Sequence, residues 1–336
     1  MSKGRKKILL IGPMPVPPGG VSTHLSRLLL LSKDVRDLQI SVLDIRKRRW
    51  YGIHGESGNW FRILFEFLTA GIIHIHISKP VKATLGRFVK ILGKKLFYTQ
   101  HNLRDLKRNS TLRIMRDADK IIFVQQAPEL PEFIQSKSIV IPAYLPSLEE
   151  HPVPEWFRKE IQDHPNVLLS LAFHEPDRPT LFEGKDLYGF DQILETIVSI
   201  HQIKSLRDWM IMLIDPNGTM ASIYEKKMAD IEKQTGIRMI FYGKPFDVLS
   251  VLPLCKMYLR STWSDGDALS LREALASGIP AVASDCVDRP AGTIVYKTGN
   301  AVDLMEKVLA VMENPYRITF QQPDFSVNLF DLYRSV

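Results

Sequence analysis

The sequence predicts an α/β protein made of two doubly wound domains, and three observations lead there. The 336 residues, 45% of them apolar, can bury two cores of ordinary domain size. Short, continuous apolar runs alternate with helical patterns along both halves of the chain, the signature of parallel strands covered by helices on both faces. Between the halves lies the proline-rich segment IPAYLPSLEEHPVPEW, which interrupts the rhythm and reads as a linker.

In the first half the strand-like runs are KILLIG (7–12), QISVLDI (39–45), IIHIHIS (72–78), KLFYTQH (95–101), IIFVQ (121–125) and SIVIP (138–142). Helical patterns start near residue 21 and cover about 60–69 and 82–93. The second half repeats the theme with VLLSLAF (167–173), WMIMLID (209–215), MIFYG (239–243), MYLRS (257–261), AVASD (281–285) and TIVYK (293–297). Helices are expected there near 189–203, 220–234 and 301–313, the last ending at Asn314-Pro315. The resulting division is an N-terminal domain over 1–145, a linker over 146–165, a C-terminal domain over 166–315 and a tail over 316–336. The tail contains the apolar LFDLY and is expected to pack back on the first domain. The two domains are expected to face each other across a cleft, with ligands at the carboxyl ends of the strands.

Composition excludes several classes. Two cysteines, Cys255 and Cys286, supply neither a disulfide framework nor metal-type spacing, which fits a reducing cytoplasm. The basic start MSKGRKKILLIG reads as a first strand and not as a signal peptide, and no run approaches the roughly 20 apolar residues that span a bilayer. Charge is uneven. Residues 1–150 carry 25 Lys+Arg against 12 Asp+Glu, whereas 151–336 carry 19 against 25. Basic residues interleave with bulky apolar ones over 46–68 and 85–97, a pattern that suits either a membrane-facing helix surface or an amphipathic helix with a solvated basic face. Nucleic-acid binding would need stacking platforms or a recognised motif beside the charge, and neither is found.

The most informative stretch is STWSDGDALSLREALASGIPAVASD (261–285), in which two acids, Asp265 and Glu273, stand eight residues apart across a loop-to-helix junction. The first-turn amides of a helix lack intrahelical partners and carry the positive end of its dipole, so phosphate oxygens are favoured beyond them. Gly266 would let a ligand approach the backbone. The plainer alternative makes Asp265 or Asp267 an N-cap and Glu273 part of a solvated face. In the first loop, GPMPVPPGG, Gly19 and Gly20 precede a helix but lack the dinucleotide-binding spacing and the phosphate-loop lysine. His74 and His76 share one side of a strand without a third ligand at metal spacing, which favours a hydrogen-bonded strand end over a zinc site. His101 lies where the following strand ends.

Taken together, the Gly19-Gly20 loop, the HIH strand, Thr99-x-His101 and the acid-x7-Glu helix followed by GIPAVASD resemble the retaining GT-B glycosyltransferases of family 4. The resemblance is strongest to bacterial enzymes of capsular, exopolysaccharide and O-antigen assembly. It implies a GT-B fold and a hexosyl transfer from a nucleotide-diphosphate sugar, by default a UDP-sugar, to a saccharide or lipid-linked saccharide, with no metal required. It implies that Glu273 binds the ribose, Asp265 the sugar hydroxyls, and the amides of Asp267, Ala268 and Leu269 the sugar or diphosphate. Gly20 would close the diphosphate pocket, His101 would contact the sugar near its reacting carbon, and Gly243 with Lys244 would lie at the base.

Two departures stand out. The first acid is Asp265 rather than Glu, and Tyr188-Gly189 replaces the usual Lys-Gly of the diphosphate clamp, leaving Arg178 or Lys185 to supply the charge. The expected location is the cytoplasm, peripheral on the inner face of the plasma membrane. The alternatives are a nucleotide-sugar epimerase of the same architecture and, from a different class, a basic nucleic-acid-binding protein or an inactive scaffold.

Overall fold

The computed structural model describes residues 5–15, 19–127, 129–314, 316–319 and 322–336. Val16, Pro17 and Pro18 of the first loop, together with Pro315, therefore lie outside the described residues. The chain divides into two compact units, one of residues 1–148 and 323–336 and one of residues 149–322.

Unit 1 contains β1 (Lys6–Ile11), α1 (Gly20–Leu31), β2 (Leu38–Asp44), β3 (Arg49–Gly52), β4 (Gly55–Ser57), α2 (Trp60–Thr69) and β5 (Ile72–Ile75). It continues through α3 (Val81–Ile91), β6 (Lys95–Gln100), α4 (Asn109–Asp117), β7 (Lys120–Phe123), α5 (Glu132–Gln135) and β8 (Ser138–Val140). The sheet order is β4-β3-β2-β1-β5-β6-β7-β8; the pairs from β2 across to β8 are parallel, and β2–β3 and β3–β4 are antiparallel. Successive residues of β1 alternate between two apolar layers: Ile8 and Leu10 belong to one core cluster, Leu9 and Ile11 to the other. Helices cover both faces, which is why the strands read as unbroken apolar runs.

Unit 2 begins with α6 (Glu155–Asp163), β9 (Asn166–Leu171), the short hairpin β10 (Leu181–Phe182) and β11 (Lys185–Asp186), α7 (Phe190–Ile203) and β12 (Trp209–Ile214). It continues with α8 (Ala221–Thr235), β13 (Arg238–Tyr242), β14 (Met257–Arg260), α9 (Leu269–Ala276), β15 (Ala281–Ser284), β16 (Ile294–Tyr296) and α10 (Ala301–Glu313). Its six-stranded sheet is ordered β13-β12-β9-β14-β15-β16 and is parallel throughout. The interior strand β12 is buried at every position, with Ile211 and Leu213 in one layer and Met210, Met212 and Ile214 in the other. A final helix, α11 (Ser326–Arg334), belongs to unit 1, where Leu329, Phe330 and Tyr333 join the core over β1 and β2.

Four segments differ from the sequence expectation. Within 46–68, read as a helix surface, residues 49–57 instead make an antiparallel β-hairpin in which Trp50 pairs with Ser57 and Gly52 with Gly55. Ile53 and His54 make the turn, and Gly55 just after it, at φ 144°, takes a backbone conformation that favours glycine. Within the stretch read as linker, Phe157 is fully buried and anchors α6, whose start at Pro154 tolerates proline because that amide needs no helical acceptor. The helices α4 and α5 had no counterpart in the sequence reading.

Candidate functional site

In unit 2 the chain leaves β9 toward β12 on one side and returns through β14 on the other, so the loops after β9 and β14 diverge at the switch point of the sheet. Open α/β sheets offer a ligand crevice at that place. The loop after β14, residues 261–268, runs from Arg260 to α9. Leu271, Ala274 and Leu275 are fully buried, which seats α9 against the sheet and fixes where its first turn lies. Ala268 occupies the N-cap and makes no side-chain capping bond, so neither Asp265 nor Asp267 is the N-cap. Glu273 lies one turn into the helix and is 9% exposed.

The surroundings of Asp265 were not legible in the sequence. Arg260 grips it in a fork, Nε to Oδ2 at 2.6 Å and Nη2 to Oδ1 at 2.8 Å. Arg289 adds Nη1 to Oδ2 at 2.8 Å, Thr262 donates its hydroxyl at 3.2 Å, and the Gly266 amide donates to Oδ1 at 2.9 Å. Burial opposes ionisation of this carboxyl, but the Arg260 and Arg289 guanidinium groups outweigh it and hold its pKa well below the usual carboxylate range. Asp265, the residue expected to bind sugar hydroxyls, is thus held by protein donors on both carboxylate oxygens. Two carboxylate oxygens offer about four lone-pair sites, and five protein donors already reach them. Asp265 thereby ties β14, the acid loop and the segment after β15 together. Arg260, a positive residue within the otherwise apolar run MYLRS, is the one sequence feature that could have pointed to its first partner.

Asp267 is likewise engaged, accepting from Arg272 Nε at 2.5 Å. Gly266, Asp267, Ala268 and Leu269 form the approach to α9. Tyr188 sends its hydroxyl to the Phe173 carbonyl at 2.7 Å. Gly189 follows at φ 68°, and a Cβ there would stand 2.1 Å from the Ser261 carbonyl oxygen, so glycine is required where α7 begins beside the acid loop. Of the two cations expected to replace the clamp lysine, Lys185 lies with its ammonium 4.3 Å from the ring centre of Trp263, in the acid loop itself. Arg178 is exposed in the loop before β10, its amide bonded to the Glu175 carbonyl. Gly243 and Lys244 follow β13, where a Cβ on Gly218 would come within 2.7 Å of the Gly243 carbonyl oxygen. The loops after β12 and β13 therefore touch through glycines.

Unit 1 brings Gly19, Gly20, His24, His74, His76 and His101 to the same end of its sheet. Gly19 and Gly20 open α1, the Gly19 amide donating to Ser22 Oγ at 2.8 Å. His24, one turn on, was not singled out in the sequence; its ring lies 5.8 Å from that of His101 and 5.6 Å from that of His76. His76 Nδ1 and His101 Nε2 are 3.0 Å apart and share a proton-mediated hydrogen bond. His74 is held between the Thr99 and Tyr333 hydroxyls at 2.7 Å each. Burial pushes His24 down to about 4 and His101 down to about 3, and holds His74 and His76 well below the ordinary imidazole value as well, so the cluster is neutral at physiological pH. No group of metal-ligating side chains occurs among the described residues.

No protein-family model matches the chain, and no curated protein matches it. Solved structures do. Sucrose-phosphate synthase from Thermosynechococcus elongatus superposes with a TM-score of 0.68 at 15% identity, covering 98% of this chain and 99% of that one. Anabaena HepE in complex with UDP and glucose gives 0.61 at 14% identity over 98% and 95%. The lipopolysaccharide outer core galactosyltransferase WaaB gives 0.58 at 16% identity over 98% and 100%. The fold is GT-B. Identities this low establish the GT-B architecture and carry no residue role, so Gly19, Gly20 and His101 keep only the assignments the sequence resemblance implies. No helix among the described residues is long and apolar enough to cross a membrane.

Proposed function

We propose that the protein is a retaining glycosyltransferase of family 4 type that moves a hexosyl group from a UDP-sugar to a lipid-linked saccharide, in bacterial surface polysaccharide assembly. The observation that carries the reading is the loop 261–268 entering an uncapped α9, with Glu273 behind it, at the switch point of a GT-B domain. HepE, which shares this fold, was solved with UDP and glucose.

In this reading Glu273 accepts hydrogen bonds from the ribose hydroxyls, and Gly243 with Lys244 borders the base. The amides opening α9 meet the sugar or diphosphate, whose negative charge grows as the anomeric C–O bond breaks. Catalysis is then chiefly electrostatic, from helix amides and from Lys185 or Arg178 in place of the missing clamp lysine. Asp265 acts by positioning: it holds Arg260 and Arg289 and so the shape of the acid loop. The basic first half places the enzyme against anionic lipid, where its acceptor is anchored.

The test is UDP binding and donor hydrolysis by wild type and Glu273→Ala. Hydrogen bonds to a charged group contribute about 1.5–3 kcal/mol, so affinity should fall roughly 10- to 150-fold. Undiminished binding and hydrolysis in the variant would sink the assigned site.

A further inference from the structure

Helices α2 and α3 bury Phe67 and Val89 in the core of unit 1, yet their outward faces are also apolar. Trp60, Phe61, Phe65 and Leu68 of α2 are each more than half exposed, as is Ile91 of α3 at 73%, and Phe88 is 50% exposed. A surface helix of a globular domain ordinarily turns polar residues outward. The two helices present one continuous surface: the rings of Phe67 and Phe88 stack 5.9 Å apart, and Lys94, just past α3, donates to the Leu68 and Ala70 carbonyls at 2.8 and 2.7 Å. Clusters of exposed aromatic residues of this kind mark interaction sites.

Charge selects the partner. Residues 46–95 hold 11 Lys+Arg and only two acids, Glu56 and Glu66. Both acids are already ion-paired, with Arg49 and Arg62 respectively. Lys7 stands 5.0 Å from the Phe65 ring centre, and Arg62 lies 4.4 Å from the ring centre of Trp50 in the β3–β4 hairpin. Aromatic and aliphatic side chains surrounded by lysine and arginine match the boundary between acyl chains and anionic headgroups. A second copy docked by the same face would bring two strongly basic surfaces together.

We propose that the α2–α3 face docks on a bilayer containing anionic phospholipid, its aromatic side chains entering the headgroup region and its cations meeting lipid phosphates. The proposal deepens the lipid-linked acceptor of the proposed function; it rests on that part of the reading and not on the donor chemistry.

Flotation of the full chain with vesicles of phosphatidylcholine alone, or mixed with phosphatidylglycerol, tests it. Wild type should bind the anionic vesicles about tenfold or more tightly than the neutral ones, and less tightly as salt rises. The exposed-site variants Phe61→Ser/Phe65→Ser and Arg87→Glu/Lys95→Glu should each lose about tenfold in vesicle binding while keeping the wild-type unfolding transition. Trp60 fluorescence should shift to the blue on binding, and Trp60→Phe should abolish that shift. Equal binding to both vesicle types overturns the proposal, as does wild-type binding by either double variant. So does a concentration-dependent dimer that Phe61→Ser/Phe65→Ser dissolves. UDP affinity measured without vesicles reports separately on the donor site, so either reading can fail while the other stands.

Discussion

Replacing Asp265 with alanine puts the arginine clamp under direct test. The side chains of Arg260, Arg289 and Asp265 are 10%, 2% and 8% exposed, so the pair of guanidinium groups would be left in the interior without a counter-charge. Breaking a buried ion pair from one side costs about 3–5 kcal/mol. For a unit of this size each kcal/mol moves the midpoint by roughly 2–4 °C, so the transition of unit 2 should fall by about 6–20 °C in scanning calorimetry. Asp265→Asn keeps the volume and one acceptor and should lose less. The pH dependence has a definite sign. The native pKa lies below the ordinary 3.8, so this stabilisation is fully present above 3.8 and is lost as pH falls through the lowered native value. The difference between wild type and Asp265→Asn should therefore be constant from about pH 8 to pH 5 and narrow under more acid conditions. An alanine variant with the wild-type midpoint would refute the structural role. Loss of UDP affinity at an unchanged midpoint would instead place Asp265 in contact with the ligand.

Acidification should weaken unit 1, because His24 and His101 are depressed to about 4 and about 3 by burial while unfolded imidazoles titrate at 6.5. That stability is present above 6.5 and lost as pH falls toward the native values, by up to about 1.4 kcal/mol per pH unit for each histidine; urea midpoints at neutral and mildly acid pH read it, and a flat profile would contradict it. Gly189→Ala should cost more than about 1 kcal/mol and weaken UDP binding, since the left-handed backbone and the Ser261 carbonyl both exclude a Cβ; an unaltered melting curve would show that the loop can yield.

Much of the architecture was legible because burial leaves a periodic trace. The run WMIMLI declares a strand covered on both faces, and the structure makes β12 an interior strand, between β13 and β9. Leu271, Ala274 and Leu275 likewise announce the buried face of α9. The hairpin at 49–57 was not legible, since its alternation is short and its exposed cations resemble those of an amphipathic helix. Nor was α6, where prolines outweighed the pattern set by Trp156, Phe157 and Ile161.

The sequence by itself determined the α/β alternation, the position of the acid loop between a strand and a helix, the place of Glu273 within that helix, and those of Gly189 and His101 at a helix start and a strand end. Local spacing suffices for that, because one face of each element must leave water. Only the tertiary structure decided what those groups touch. Asp265 is met by Arg260 from the end of β14 and by Arg289 from 24 residues away, and His74 by Tyr333 from 259 residues away. Such pairings answer to charge and hydrogen-bond geometry between distant segments, which no periodicity records. Asp265, which the sequence reads as a ligand group, is in the structure also the partner of two buried arginines.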